Sequence, residues 1–65
     1  MTKNKMRITA IQHYDDILGN GYYLVSETMD RTWYKGDTPE EAVQHYIEQY
    51  SIPVTLNDVV IYERV

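Results

Sequence analysis

A chain of 65 residues with no cysteine is one small domain without disulfides or a thiolate metal site, and it buries only about 60% of its extended surface. Its net charge of −4 is unevenly spread: from Ile8 onward Arg31, Lys35 and Arg64 stand against ten carboxylates, a net of −7. Such a body repels phosphate backbones, which argues against direct nucleic-acid binding and for a basic protein partner.

The first five residues are polar and are expected to fray. Met6 to His13 alternates as a first strand, with Met6, Ile8 and Ala10 on one side. Residues 15–21 read as a loop in which Asn20 and Gly21 supply tolerance of positive φ. Tyr22 to Glu27 is a second strand, with Tyr22, Leu24 and Ser26 on one face and Tyr23, Val25 and Glu27 on the other. Residues 28–31 read as a turn, and Thr32 to Lys35 as a short aromatic third strand. The three strands are expected to form an antiparallel meander.

The helix is the strongest local feature. Thr38 is suited to cap it, Pro39 fits the first helical position, and Glu41 can reach back to the Thr38 amide as a capping box. Asp37, Glu40 and Glu41 place negative charge at the positive end of the helix dipole. From Pro39 to about Tyr50, the side chains of Ala42, Val43, Tyr46, Ile47 and Tyr50 gather into one apolar arc. Pro53 stops the helix, Leu56-Asn57-Asp58 is turn-like, and Val59 to Arg64 reads as a fourth strand. That strand is apolar on both faces, so both are expected to be covered, one of them by a second copy. The fold class expected is α+β: a single antiparallel-rich sheet with one helix on one face, in the order βββαβ. A homodimer would add buried area to so small a domain.

Chemistry-bearing patterns are sparse. His13 and His45 are the only side chains suited to acid–base work near neutrality, and nothing joins them to a nucleophile. Glu41, His45 and Glu48 share a helix-face spacing open to a metal, but they also make an ordinary solvated face. Gly19-Asn20-Gly21 lacks the spacing of a phosphate loop, and Asp15-Asp16 lacks that of a calcium loop. No enzyme, metal or cofactor is expected. No apolar run approaches the roughly 18 residues that span a bilayer, and no signal-peptide core follows Met1. The expected compartment is the cytoplasm, a host's if the chain is viral.

Gly21-Tyr22-Tyr23, followed fifteen positions later by Gly36-Asp37-Thr38-Pro39-Glu40-Glu41-Ala42-Val43, resembles the N-terminal domain of HicB-type antitoxins. That family carries a glycine–aromatic strand start, a hairpin and a G-D-T-x-E-E-A segment that opens the helix. The resemblance runs over residues 6 to 62 and continues through Ile52-Pro53 and the last strand. Residues 27–31 depart from the family's proline/glycine-rich turn. The sequence ends at Val65 without the DNA-binding segment that follows this domain in the family, so operon autorepression is not carried over. What the resemblance implies is an acidic domain that neutralises a protein, in that family a small ribonuclease toxin.

The expectation is therefore a non-enzymatic acidic inhibitor of a basic nucleic-acid-binding protein or nuclease, either antitoxin-like or phage-encoded against a host defence nuclease. Asp15, Asp16, Glu27 and Asp30 would meet the basic surface, with Tyr22, Trp33 and Tyr34 as apolar anchors. The alternatives are a small RNA- or DNA-binding protein using Tyr22, Tyr23, Trp33 and Tyr34, or a scaffold subunit.

Overall fold

The computed structural model describes residues 6–27 and 29–64. Its elements are β1 (Met6–Asp15), β2 (Gly19–Ser26), β3 (Met29–Lys35), α1 (Pro39–Tyr50), a 3-10 turn (Leu56–Asp58) and β4 (Val59–Arg64). This is the expected α+β arrangement, one sheet with a single helix against it in the order βββαβ. The strands lie in the order β3-β2-β1-β4. β1, β2 and β3 form the antiparallel meander, while β4 lies parallel to β1 at the other edge. A parallel neighbour cannot be reached by a hairpin, so the chain crosses the sheet through α1.

The first hairpin is longer than its sequence suggests. Its turn is only Asp16 to Leu18, because the Asp15 carboxylate accepts the amides of Ile17 and Leu18, each at 2.8 Å. The positive φ that closes the tip belongs to Gly19, at 95°, and not to Asn20 or Gly21. Asn20 works elsewhere: its side-chain amide donates to the Gly36 carbonyl at 3.1 Å, and its own carbonyl accepts the Gly36 amide at 3.2 Å. β3 begins at Met29 instead of Thr32. The expected turn over 28–31 is largely a bulge, in which pairing shifts between Leu24 and Ser26 and leaves Asp30 and Arg31 opposite Val25. Thr28 of that turn, and the expected fraying of residues 1–5, fall outside the described residues.

α1 begins and ends where the sequence predicts. Thr38 Oγ1 accepts the Glu41 amide at 3.2 Å, while the Glu41 carboxylate accepts the Asp37 amide at 3.3 Å, one residue short of the expected capping box. Ser51 closes the helix in the left-handed region, φ 50°, and the Ile52 amide then donates to the Ile47 carbonyl at 3.0 Å. Ala42, Val43 and Ile47 press onto Ile8, Ala10, Tyr22, Leu24, Tyr34 and Val59 to form the core. Tyr46 is half-buried, edge-on to Tyr34, and Tyr50, though exposed, packs on Tyr46 and hydrogen-bonds Tyr34, so the predicted arc holds through its last turn. Among the described residues, only one face of the sheet is covered. Val60 and Tyr62 of β4 look out from the other.

Candidate functional site

Side chains alternate across a strand, so the register assigns every sheet residue to the helix-covered face or the open one. Tyr22 and Tyr34 stand opposite each other on the covered face, 4% and 7% exposed, and both are core side chains. Neither is available to anchor a partner as the sequence suggests. Trp33 is available: it stands opposite Tyr23 on the open face, and both are half-buried. The four carboxylates expected to act together are divided between the ends of the sheet. Asp15 and Asp16 lie at the β1–β2 tip, whereas Glu27 and Asp30 lie at the β2–β3 end, roughly 25 Å away at strand rise.

The open face holds a different set of groups. One row across the sheet runs Trp33, Tyr23, Ile11, Arg64; its neighbours run Lys35, Gly21, His13 and Val25, Thr9, Tyr62. The Trp33 indole lies across β2 at Gly21, where a Cβ would come within 2.2 Å of the ring. Its Nε1 donates to the His13 carbonyl oxygen at 3.0 Å, which locks the ring flat against the sheet. The His13 ring packs on Tyr23 with centroids 5.1 Å apart, and the Arg31 guanidinium stands 4.4 Å over the Tyr23 ring. The result is a pre-set aromatic surface, fixed by glycine on one strand and tryptophan on the next.

Charge is unevenly divided between the two sides, although the register also puts Asp15 on the open face, opposite Gly19. Arg7, Arg31, Lys35 and Arg64, the Lys and Arg residues within the described chain, all fall on the open face. The helix side carries Asp37, Glu40, Glu41, Glu48 and Glu63, all exposed. Burial pushes the Tyr22 hydroxyl's pKa up, and the nearby carboxylates of Glu63, Glu40 and Asp37 push it further, against a hydrogen bond from the Asn20 side chain. The amides of Leu18 and Ile17 hold the Asp15 carboxyl below its usual range, so the hairpin tip stays anionic and ordered.

Comparison with protein-family models, with curated proteins and with solved structures finds no match to this chain. The antitoxin resemblance accordingly rests on its sequence motif alone. Of the residues singled out by sequence, Trp33 belongs to the open face and Asp30 stands at its rim. His13, singled out for acid–base work, and Tyr23, singled out for base stacking, lie on it too, whereas Arg7, Ile11, Tyr62 and Arg64 were assigned no role. Arg64 could not have been found, because only the β1–β4 pairing places it beside Ile11 on this face.

His45, the candidate acid–base or metal residue on α1, has its Nδ1 2.6 Å from the Lys35 carbonyl oxygen and so ties the helix to the end of β3. Among the described residues no three His, Asp or Glu side chains are grouped to hold a metal ion. Among the described residues, no helix is long and apolar enough to cross a membrane.

Proposed function

We propose that this chain is a non-enzymatic binding domain that works through the open face of its sheet on an anionic partner. The observation that carries this reading is the coincidence of four cations with a locked aromatic surface on the one face that no other element covers. Rings supply flat apolar area at little entropic cost, and arginines supply planar charge-assisted contacts. The deciding experiment captures partners from a host lysate with tagged protein. Arg31→Glu with Arg64→Glu should abolish capture, and Glu40→Lys with Glu63→Lys should leave it intact; the reverse pattern would remove this reading.

A second reading keeps the inhibitor role, antitoxin-like or phage-encoded. It is favoured by the helix side, where Asp37, Glu40 and Glu63 act together on Tyr22 and no described Lys or Arg intervenes. There the domain would present carboxylates to a basic nuclease or nucleic-acid-binding protein in place of its phosphate ligand. Its contact residues would be those of the helix side, with the acids of the two sheet ends at its margins. The same two double variants separate the readings, since this one predicts loss of capture with Glu40→Lys and Glu63→Lys.

A further inference from the structure

We infer that the open face binds single-stranded nucleic acid, with bases stacked on Trp33 and on the Arg31–Tyr23 pair and phosphates directed to Lys35 and Arg64. This rests on the reading of the open face as the working surface and commits it to one ligand class.

The first argument is planarity. The indole of Trp33 is held flat by its bond to the His13 carbonyl and by the absent side chain of Gly21, so it offers a ring face at no ordering cost. Beside it, Arg31 over Tyr23 presents a guanidinium plane backed by an aromatic ring. Unpaired bases stack on both kinds of plane. A base inside a duplex has its faces covered by its neighbours, so a duplex cannot use this surface.

The second argument is the placement of charge. Lys35 and Arg31 border the β3 edge of the face, and Arg64 borders the β4 edge. Three strand spacings separate those edges, about 14 Å. Carboxylates close the other two ends, Asp15 and Asp16 at one and Glu27 and Asp30 at the other. A polyanion laid along the strands meets those acids, whereas one laid across the strands passes from cation to ring to cation. The strand therefore crosses the sheet. An acidic protein segment would satisfy the cations but would leave the locked ring faces without flat partners.

The test uses the full chain with fluorescein-labelled oligothymidylate and oligouridylate of about ten nucleotides, and a duplex of equal length. Anisotropy reads binding, and quenching of the single tryptophan reads stacking. Both single strands should bind at low salt and quench Trp33 fluorescence, and the duplex should bind more weakly. Trp33→Ala should lower affinity about tenfold. Should that variant fail to fold, exposed Arg64 carries the test: Arg64→Gln should weaken binding and reduce the log–log salt slope by about one. Absence of binding by either strand at low salt overturns the inference, as does binding that Arg64→Gln leaves untouched, or polyglutamate binding as tightly as the oligonucleotides. If a captured protein still depends on Arg31 and Arg64 while oligonucleotides do not bind, the open face stands as the working surface and only its ligand is wrong.

Discussion

The indole of Trp33 lies on the backbone of Gly21, and its N–H crosses β2 to reach the carbonyl oxygen of His13 on β1. One side chain thus spans three strands, and it can do so only because the middle strand has no side chain beneath it. Gly21→Ala should show this directly. A Cβ there would meet the ring at 2.2 Å and the Tyr34 carbonyl oxygen at 2.6 Å, and the second atom belongs to backbone that cannot swing away. Overpacking of this kind costs about 1–3 kcal/mol. The variant should melt earlier and its tryptophan emission should shift to the red as the indole lifts into water. A variant with unchanged emission would mean that the ring does not rest on Gly21.

The helix carries the fold's stability through a narrow set of contacts. Ala42 is fully buried against the sheet, with no room or polar partner for a carboxylate. Ala42→Asp should cost more than about 4 kcal/mol, enough to unfold a domain of this size. The exposed Gln49→Lys, in the last turn of the same helix, should leave the circular dichroism spectrum and melting point nearly unchanged. A folded Ala42→Asp protein would mean that another face of α1 meets the sheet.

The helix was legible because its determinants are local: cap, proline, acidic first turn and apolar spacing all lie within one stretch. β4 was legible for a similar reason, as an apolar run after a proline. The first hairpin was not, since its turn is set by two backbone amides on Asp15, and the turn residues suggested by composition, Asn20 and Gly21, serve other contacts. The site was less legible still. Alternation sorts Tyr22 from Tyr23 onto opposite faces, but both faces carry tyrosine, so the sequence does not say which one the helix covers. The cation at the far edge of the open face, Arg64, depends on β4 lying parallel to β1, a pairing between the two ends of the chain.

Ser51 offers a gain in place of a loss. It ends α1 with φ 50° and ψ 43°, a conformation that a Cβ disfavours by about 1 kcal/mol. Ser51→Gly relieves that cost and should raise the melting temperature by about 4–8 °C, less the entropy glycine adds to the unfolded chain. Ser51→Val should lower it. Equal melting points for the two would show that the left-handed cap is not occupied in solution.

High pH should unfold the domain through its buried tyrosines. Burial pushes the Tyr34 hydroxyl up to about 12 from an ordinary value of 10.0, with Tyr50, through its hydrogen bond and its charge, and then Tyr46 adding to the shift. Tyr22 is raised too, by burial and then by Glu63. A folded-state pKa above the unfolded one means that the folded chain holds its proton longer. Between pH 10 and 12 the unfolded state has therefore lost protons that the native state keeps, and stability falls as pH rises through that window. Below pH 10 the contribution is complete and flat. Tyr34→Phe removes the group that must ionise, so it should shift the midpoint of alkaline unfolding upward, while Tyr14→Phe, at an exposed position, should not move it. Tyrosinate absorbance followed alongside circular dichroism checks the coupling: the signal of Tyr34 and Tyr22 should appear together with the loss of helix.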